Sequence, residues 1–296
     1  MRRRDDPAPT TTAEDTAGPA AALAELGARG ELVLFADGCG VRRLALPALS
    51  ARDSTSCRPR GALSPDRRLV ATCVDDGVEV RRSTDARLAQ LLPGCTPAWR
   101  PDGTMTAALG DEVVRFRPCA SRQPCRVTLI PRRELQRAAR RHRAVPDGLI
   151  RLRALVDGIA WISDSRAAVS LSIRLGGRFE GLGPLGTVAF FDGGRLTRVP
   201  QYFRLTGGRL AASPRGTYVT QTPDVILRRD GSVVTLPEHL RDVRDFAWSP
   251  NERLLALATR FAVEVVDVTT LERYDRTGSG LRSVTLPQAA VRLAWR

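Results

Sequence analysis

Cysteines, histidines and paired acidic residues are the side chains of this sequence that could carry chemistry. The chain has six cysteines and only two histidines. A structural zinc site would need cysteines and histidines at short paired spacings, and no Cys-x-x-Cys pair is present. The even number of cysteines instead favours disulfides in an oxidising compartment, with a set of reduced core cysteines as the alternative. The six are Cys39, Cys57, Cys73, Cys95, Cys119 and Cys125.

Candidates for catalysis are few. No Gly-x-Ser-x-Gly nucleophile motif is present, and His239, in Pro237-Glu238-His239, is typical of a surface turn. The carboxylates that could bind a metal are Asp75, Asp76, Asp111, Glu112 and Asp224. Four of them form pairs directly before apolar runs, where tight turns commonly use aspartate. We therefore predict no enzyme activity and no cofactor, and keep a metal-dependent hydrolase that uses these carboxylates as an alternative.

A repeated pattern indicates the elements that must hold any site. All four tryptophans follow an alanine: Trp99, Trp161, Trp248 and Trp295. Most copies lead into a turn such as Arg100-Pro101-Asp102-Gly103 or Ser249-Pro250-Asn251, and then into an apolar run. Proline sets φ at the first corner of a tight turn, and Asp, Asn or Gly accepts the second. Strands joined by such turns pair antiparallel, and a tryptophan ending the first strand fills space between packed sheets.

The repeat predicts an all-β fold, a six-bladed β-propeller of four-stranded antiparallel blades over residues 30–296. Further turns at Ser64-Pro65-Asp66 and Ser213-Pro214 bring the internal copies to five. The sixth blade would combine a last strand at 291–295 with the strand at 31–36, which closes the ring without an open edge. Residues 1–29 are predicted to be a disordered, linker-like segment.

The motif aromatic–Ser/Arg–Pro–Asp–Gly–x–x–apolar resembles the WD-like repeats of TolB-type and related bacterial β-propellers. It is clearest at Trp99–Thr104 and at Trp248–Leu255. The resemblance covers nearly the whole chain after residue 30, but the Trp-Asp and Gly-His pairs of eukaryotic WD repeats are missing. It implies the propeller fold and leaves the function open, because propellers host many unrelated activities.

Two insertions suggest where a partner binds. Residues 131–143 are predicted to form a short helix opened by Pro131, and residues 176–186 a glycine-rich loop. In a blade with alternating strand directions, both lie on the face of the disc that carries the second-to-third turns and the inter-blade links. We expect only short turns on the other face. The predicted partner contacts are Arg133, Arg137, Arg140, Arg141, Arg178, Phe179 and Leu182.

The same strand directions predict three disulfides. A residue late in a second strand and one in the link to the next blade emerge on the same face, which pairs Cys73 with Cys95 and Cys39 with Cys57. Cys119 and Cys125 are close enough in sequence to bridge a third-to-fourth turn.

The formal net charge of +14 admits nucleic-acid binding as a further alternative. All positive side chains are arginines, which is typical of a GC-rich genome, and only 5% of residues are aromatic. We therefore favour a monomeric, non-enzymatic interaction or ligand-sensing module with an unknown protein partner or ligand. No apolar run reaches the ~18 residues that span a bilayer. The linker-like start and the cysteines favour an extracytoplasmic location, whereas the missing signal peptide keeps a cytoplasmic one open.

Overall fold

The computed structural model describes residues 18–36, 40–55, 61–66, 68–75, 77–83, 85–117, 125–142, 144–146, 151–177, 185–197, 210–223 and 225–296. These residues form six four-stranded antiparallel sheets arranged as the blades of a β-propeller. The predicted fold is therefore confirmed.

The four strands of each blade run in order from the centre of the disc to the rim. Blade 1 contains β24 (Arg292–Trp295), β1 (Gly30–Phe35), β2 (Gly40–Leu46) and β3 (Ser50–Thr55). Blade 2 contains β4 (Ala62–Leu63), β5 (Leu69–Val74), β6 (Gly77–Arg82) and β7 (Leu88–Leu92). Blade 3 contains β8 (Cys95–Trp99), β9 (Met105–Leu109), β10 (Glu112–Arg117) and β11 (Cys125–Ile130).

The second half of the ring follows the same order. Blade 4 contains β12 (Leu152–Trp161), β13 (Arg166–Leu175), β14 (Leu185–Asp192) and β15 (Arg195–Leu196). Blade 5 contains β16 (Leu210–Ala212), β17 (Tyr218–Gln221), β18 (Val225–Arg228) and β19 (Val233–Val234). Blade 6 contains β20 (Asp245–Trp248), β21 (Leu254–Ala258), β22 (Val263–Asp267) and β23 (Ser283–Leu286).

The chain ends close the ring as predicted. β24 pairs antiparallel with β1, with Leu32 opposite Trp295 and Phe35 opposite Arg292. The ladder continues beyond β24, since the Arg296 and Glu31 backbones exchange two hydrogen bonds of 2.9 Å. The last strand of the chain thus completes the first blade.

The serine and the aspartate or asparagine of the turn motif form the hydrogen bonds that hold the turn. In the Ser249 turn, the hydroxyl accepts the Leu254 N–H at 2.9 Å and lies 2.8 Å from Asn251 Oδ1, which accepts the Arg253 N–H at 3.1 Å. Ser64 and Asp66 form the same arrangement with Leu69 and Arg68. These bonds satisfy the backbone groups of a tight turn, which explains why the motif repeats.

The tryptophans pack between blades, as expected. The Trp99 indole N–H donates to the Ala62 carbonyl of the preceding blade at 2.8 Å, and the Trp161 N–H donates to Thr106 Oγ1 of its preceding blade at 2.8 Å. Trp248 stacks on Tyr218 of blade 5 with ring centroids 5.1 Å apart. A large ring at the same place in successive blades thus fixes how neighbouring sheets pack.

The described residues contain three α-helices, of which only one was predicted. α2 (Arg132–Arg140) lies within the predicted range 131–143, with Pro131 as its N-cap rather than its first residue. α1 (Pro19–Glu25) lies in the segment predicted to be a disordered linker. That prediction is wrong for this part of the segment, because Leu23 is fully buried in the core between blades 1 and 6. Residues 1–17 lie outside the described residues.

α3 (Val268–Thr277) corrects the prediction that one face of the disc carries only short turns. It forms part of the third-to-fourth connection of blade 6. Asp267 caps it by accepting the Thr269 and Thr270 N–H groups at 2.8 and 3.3 Å, and Gly278 ends it in the left-handed conformation. No helix of the described residues is long and apolar enough to cross a membrane.

Candidate functional site

The face of the disc that carries the second-to-third turns and the inter-blade links is called the link face below. Its clearest feature is α2, which follows blade 3 and packs on β12, β13 and β15 of blade 4. Leu135, Ala138 and Ala139 are fully buried against these strands, which confirms the apolar stripe expected from the sequence. The helix is therefore held by its apolar side and presents its other side to solvent.

The exposed side of α2 carries the predicted arginines. Arg133, Arg137 and Arg140 follow each other at helical spacing, and Arg141 lies directly after the last turn. Arg137 pairs with the largely buried Glu134 at 2.5 Å, and Arg141 Nη1 donates to the Leu196 carbonyl at 3.3 Å. We call Arg133, Arg137, Arg140 and Arg141 the arginine stripe. The stripe contains four guanidinium groups, whereas α2 contains one carboxylate, that of Glu134.

The glycine-rich loop, the second predicted part of the site, begins near the start of α2. Arg132, at the start of α2, and Arg153, in β12, both pair with Asp111 at 3.4 and 3.3 Å. Gly176, at the start of the glycine-rich loop, donates its N–H to the Arg151 carbonyl at 3.0 Å. The base of the helix and the stem of the loop thus lie at the same end of blade 4. The predicted contacts Arg178, Phe179 and Leu182 fall outside the described residues.

Two of the three predicted cysteine pairings include residues that the structure describes. Cys73 and Cys95 form a disulfide with Cα atoms 5.0 Å apart, which confirms this pairing. Cys95 is the first residue of β8 rather than part of the link before it. Cys125 is also disulfide-bonded, whereas Cys39, Cys57 and Cys119 lie outside the described residues.

The acidic residues considered for catalysis serve turns and strand ends where they are described. Asp111 binds two arginines, and Glu112 accepts the Thr128 hydroxyl at 3.0 Å. Asp75 lies in the turn after β5, while Asp76 and Asp224 fall outside the described residues. Within the described segments, no three His, Cys, Asp or Glu residues are grouped so that they could hold a metal ion.

The two histidines lie apart from each other. His239 is exposed in a 3-10 helix (Glu238–Leu240) between blades 5 and 6, as expected for an inter-blade turn. His142 is buried after α2, and burial lowers the pKa of its imidazole. Its Nδ1 accepts the Ala144 N–H at 3.2 Å, so this ring helps to end the helix.

A cavity of about 440 Å³ lies at the centre of the disc between the inner strands. Indole rings of Trp99 and Trp161 contribute to its wall, together with small and apolar side chains. Among the described residues that line it, Asp157 is the one carboxylate and Arg292 the one guanidinium. These residues do not supply the several convergent carboxylates that a metal-dependent hydrolase would need.

One exposed pair on the link face was missed by the sequence analysis. Arg260 and Phe261 form the tip of the second-to-third turn of blade 6, and Phe261 is 76% exposed. The guanidinium carbon of Arg260 lies 5.2 Å from the centre of the Phe261 ring. The Arg-Phe pair is no signal by itself, because Arg115-Phe116 is the same pair and Phe116 is buried in blade 3.

Comparison with known proteins supports the architecture alone. No protein-family model and no curated protein matches the chain. Among solved structures, the chain is similar to Kuenenia stuttgartiensis hydrazine synthase, with 14% identity over 86% of this chain and 83% of the other and a TM-score of 0.53. It also matches the β-propeller domain of Cps50 (Swd1) from Myceliophteria thermophila, with 12% identity over 89% of each chain and a TM-score of 0.47. At such identities the likeness to hydrazine synthase extends to the fold and not to the activity.

Proposed function

We propose that this propeller is a non-enzymatic, extracytoplasmic binding module that recognises an acidic segment of a partner protein on its link face. The observation that carries the proposal is the arginine stripe on a helix whose opposite side is buried. Guanidinium groups bind carboxylates through paired hydrogen bonds, and a fixed helix presents them with little loss of backbone entropy on binding. The disulfide between Cys73 and Cys95 supports an oxidising compartment.

Nucleic-acid binding is the second candidate, because the stripe and the net charge of +14 would also attract phosphates. Proteins that bind single strands add aromatic side chains on which bases stack. None of the described residues of α2 is aromatic. This favours the acidic protein segment.

The test compares two triple variants. One replaces three residues of the stripe, R133Q/R137Q/R140Q. The matched control, R52Q/R87Q/R253Q, removes the same charge from exposed arginines elsewhere on the disc. The probes are a fluorescein-labelled deca-glutamate peptide and labelled single- and double-stranded 20-mer DNA. Binding is followed by anisotropy at 50 and 200 mM salt, and circular dichroism checks the fold of each variant.

We expect the stripe variant to bind deca-glutamate at least tenfold more weakly than the control, since each lost guanidinium removes charge-assisted contacts. Equal binding by the two variants would refute the assignment of the site to α2. Tighter binding of DNA than of peptide, lost in the stripe variant, would identify the surface as a nucleic-acid site instead.

A further inference from the structure

The exposed Phe261 is held in a rigid turn. The Thr259 N–H donates to the Ala262 carbonyl at 2.9 Å, and the Ala262 N–H donates to Thr259 Oγ1 at 3.2 Å. The turn joins β21 and β22, whose apolar side chains are buried. A large ring presented on a fixed hairpin loses little conformational entropy when a partner covers it, which is typical of an interface anchor.

A groove lies at the junction of blades 6 and 1, near the end of β22 that follows the Phe261 turn. Val263, two residues after Phe261, pairs with Leu286, and Leu286 directly precedes the groove residue Pro287. Pro287, Gln288 and Ala289 line one wall of the groove, which has a volume of about 950 Å³. The link-face ends of β1, β2 and β3 in blade 1 supply the rest, with Leu34, Ala36, Gly40, Val41, Arg42, Asp53 and Ser54. A single exposed ring would be unremarkable, but a groove with a partly apolar lining lies close to this one in the pairing of blade 6.

Charge restricts what can bind. Arg260 is at the tip of the turn, and exposed Arg244 lies directly before Asp245, which pairs with Ala258 at the end of β21. Within the groove, Arg42 and Asp53 form a double hydrogen bond of 2.8 Å and neutralise each other. Arg241, Arg244 and Arg260 are exposed, as is Asp242, so the exposed side chains near this turn carry an excess of positive charge. A second copy of this chain would bring arginines against arginines in a two-fold contact, whereas an acidic segment would be attracted.

We propose that Phe261 and this groove form a docking site for an extended segment of a partner protein that carries an apolar residue flanked by carboxylates. The apolar residue contacts Phe261 and enters the groove, and the carboxylates face Arg244 and Arg260. The inference rests on the proposal that the link face binds protein. It adds an apolar anchor that is separate from the arginine stripe.

The experiment selects peptides from a random 12-residue display library on the immobilised full chain. Individual peptides are then synthesised, and their dissociation constants are measured by anisotropy for the wild type, F261S and R244Q/R260Q. L91S is the control, since Leu91 is an exposed apolar side chain, 53% exposed, in the outermost strand of blade 2 and away from the Phe261 turn. R133Q/R137Q/R140Q separates this site from the stripe. Thermal melts establish that all variants fold.

We expect a class of selected peptides with Asp or Glu around an apolar residue. F261S should weaken their binding about thirtyfold or more, while L91S and the stripe variant leave it unchanged. A selection without any peptide sensitive to F261S would overturn the docking site, even if the stripe proposal held. Peptides that depend on Phe261 but carry no carboxylates would overturn the assigned chemistry. Self-association abolished by F261S in sedimentation would identify a second copy as the occupant.

Discussion

Single side chains tie adjacent blades together on the face opposite the link face. The Asp102 N–H of blade 3 donates to Asp164 Oδ1 of blade 4 at 3.0 Å. Between blades 5 and 6, Glu252 accepts the Arg215 N–H and the Thr217 hydroxyl, the latter at 2.7 Å. The first-to-second turns, which the motif keeps short, thus act as contacts between neighbouring blades. Their side chains have structural partners, which agrees with a binding site elsewhere.

Glu252 makes one of these contacts dependent on pH. Burial alone would raise the pKa of its carboxyl, but hydrogen bonds from Ser213, Thr217 and Arg215 outweigh burial and hold the pKa below its usual range. A carboxylate with a lowered folded-state pKa stabilises the fold above its unfolded-state pKa, and this stability is lost as the pH falls through the folded-state value.

We therefore expect E252Q to lower the free energy of unfolding by about 1–3 kcal/mol at pH 7, the typical worth of a charged hydrogen bond. The difference from the wild type should begin to shrink as the pH falls below about 5 and should disappear only below the lowered folded-state pKa. Urea unfolding at pH 7, 5, 4 and 3 measures it, with the exposed Glu238 replaced in E238Q as the control. A difference that stays constant with pH would contradict the assigned role.

At the scale of elements, each helix contacts the outermost strand of one blade. α1 packs against β23, α2 against β15 and α3 against β19, so the outer strands of blades 4, 5 and 6 are partly covered. β15 and β19 contain only two residues each. An outer strand has unpaired backbone groups, and short strands or a covering helix limit pairing with other chains. The helices are therefore part of how the fold protects its edges.

This role makes α1 part of the domain. L23A should lower the free energy of unfolding by about 2–5 kcal/mol, because it removes a fully buried side chain from the core between blades 1 and 6. E25A on the same helix is the control. The Glu25 carboxylate is largely exposed, and its ion pair with Arg282 is long, at 4.0 Å, so its loss should cost little. Chemical denaturation measures both variants. An L23A protein as stable as E25A would show that α1 is not needed for the fold.

At the scale of the whole molecule, closure by the last strand joins the two ends of the sequence into one blade. Leu293 and Ala290 are buried in the same core as α1 and the inner strands of blades 6 and 1. Leu293 also donates its N–H to Asp245 Oδ2 of blade 6 at 2.7 Å. Stability of the ring should therefore depend on a segment at the very end of the chain.

Deletion of residues 290–296 should lower the melting temperature by about 10 °C or more. The loss of one buried leucine costs about 2–5 kcal/mol, and 1 kcal/mol shifts the midpoint of a domain of this size by about 2–4 °C. W295F keeps the strand and loses only the indole N–H bond to the Arg29 carbonyl, so its midpoint should fall by a few degrees at most. Differential scanning calorimetry compares the two, and an unchanged midpoint in the deletion would argue against closure by the terminal strand.

The sequence by itself determined the repeat, the number of blades, the closing strand and the disulfide between Cys73 and Cys95. These features follow from local chemistry, since a Ser-Pro-Asp turn and its flanking apolar runs already specify a strand, a turn and a strand. Once the strand directions are known, the positions of Cys73 and Cys95 follow from topology. The helix at 132–140 was also recognisable, because its apolar and charged residues separate at helical spacing.

Only the tertiary structure decided that Pro19–Glu25 and Val268–Thr277 are helices of the core rather than linker or turn. Short helices are marginal alone, and packing against neighbouring blades stabilises them. Asp267 and Gly278 were visible as caps, but they are also ordinary turn residues. The exposure of Phe261 likewise depends on the packing around its turn, because burial is a property of contacts between residues far apart in sequence.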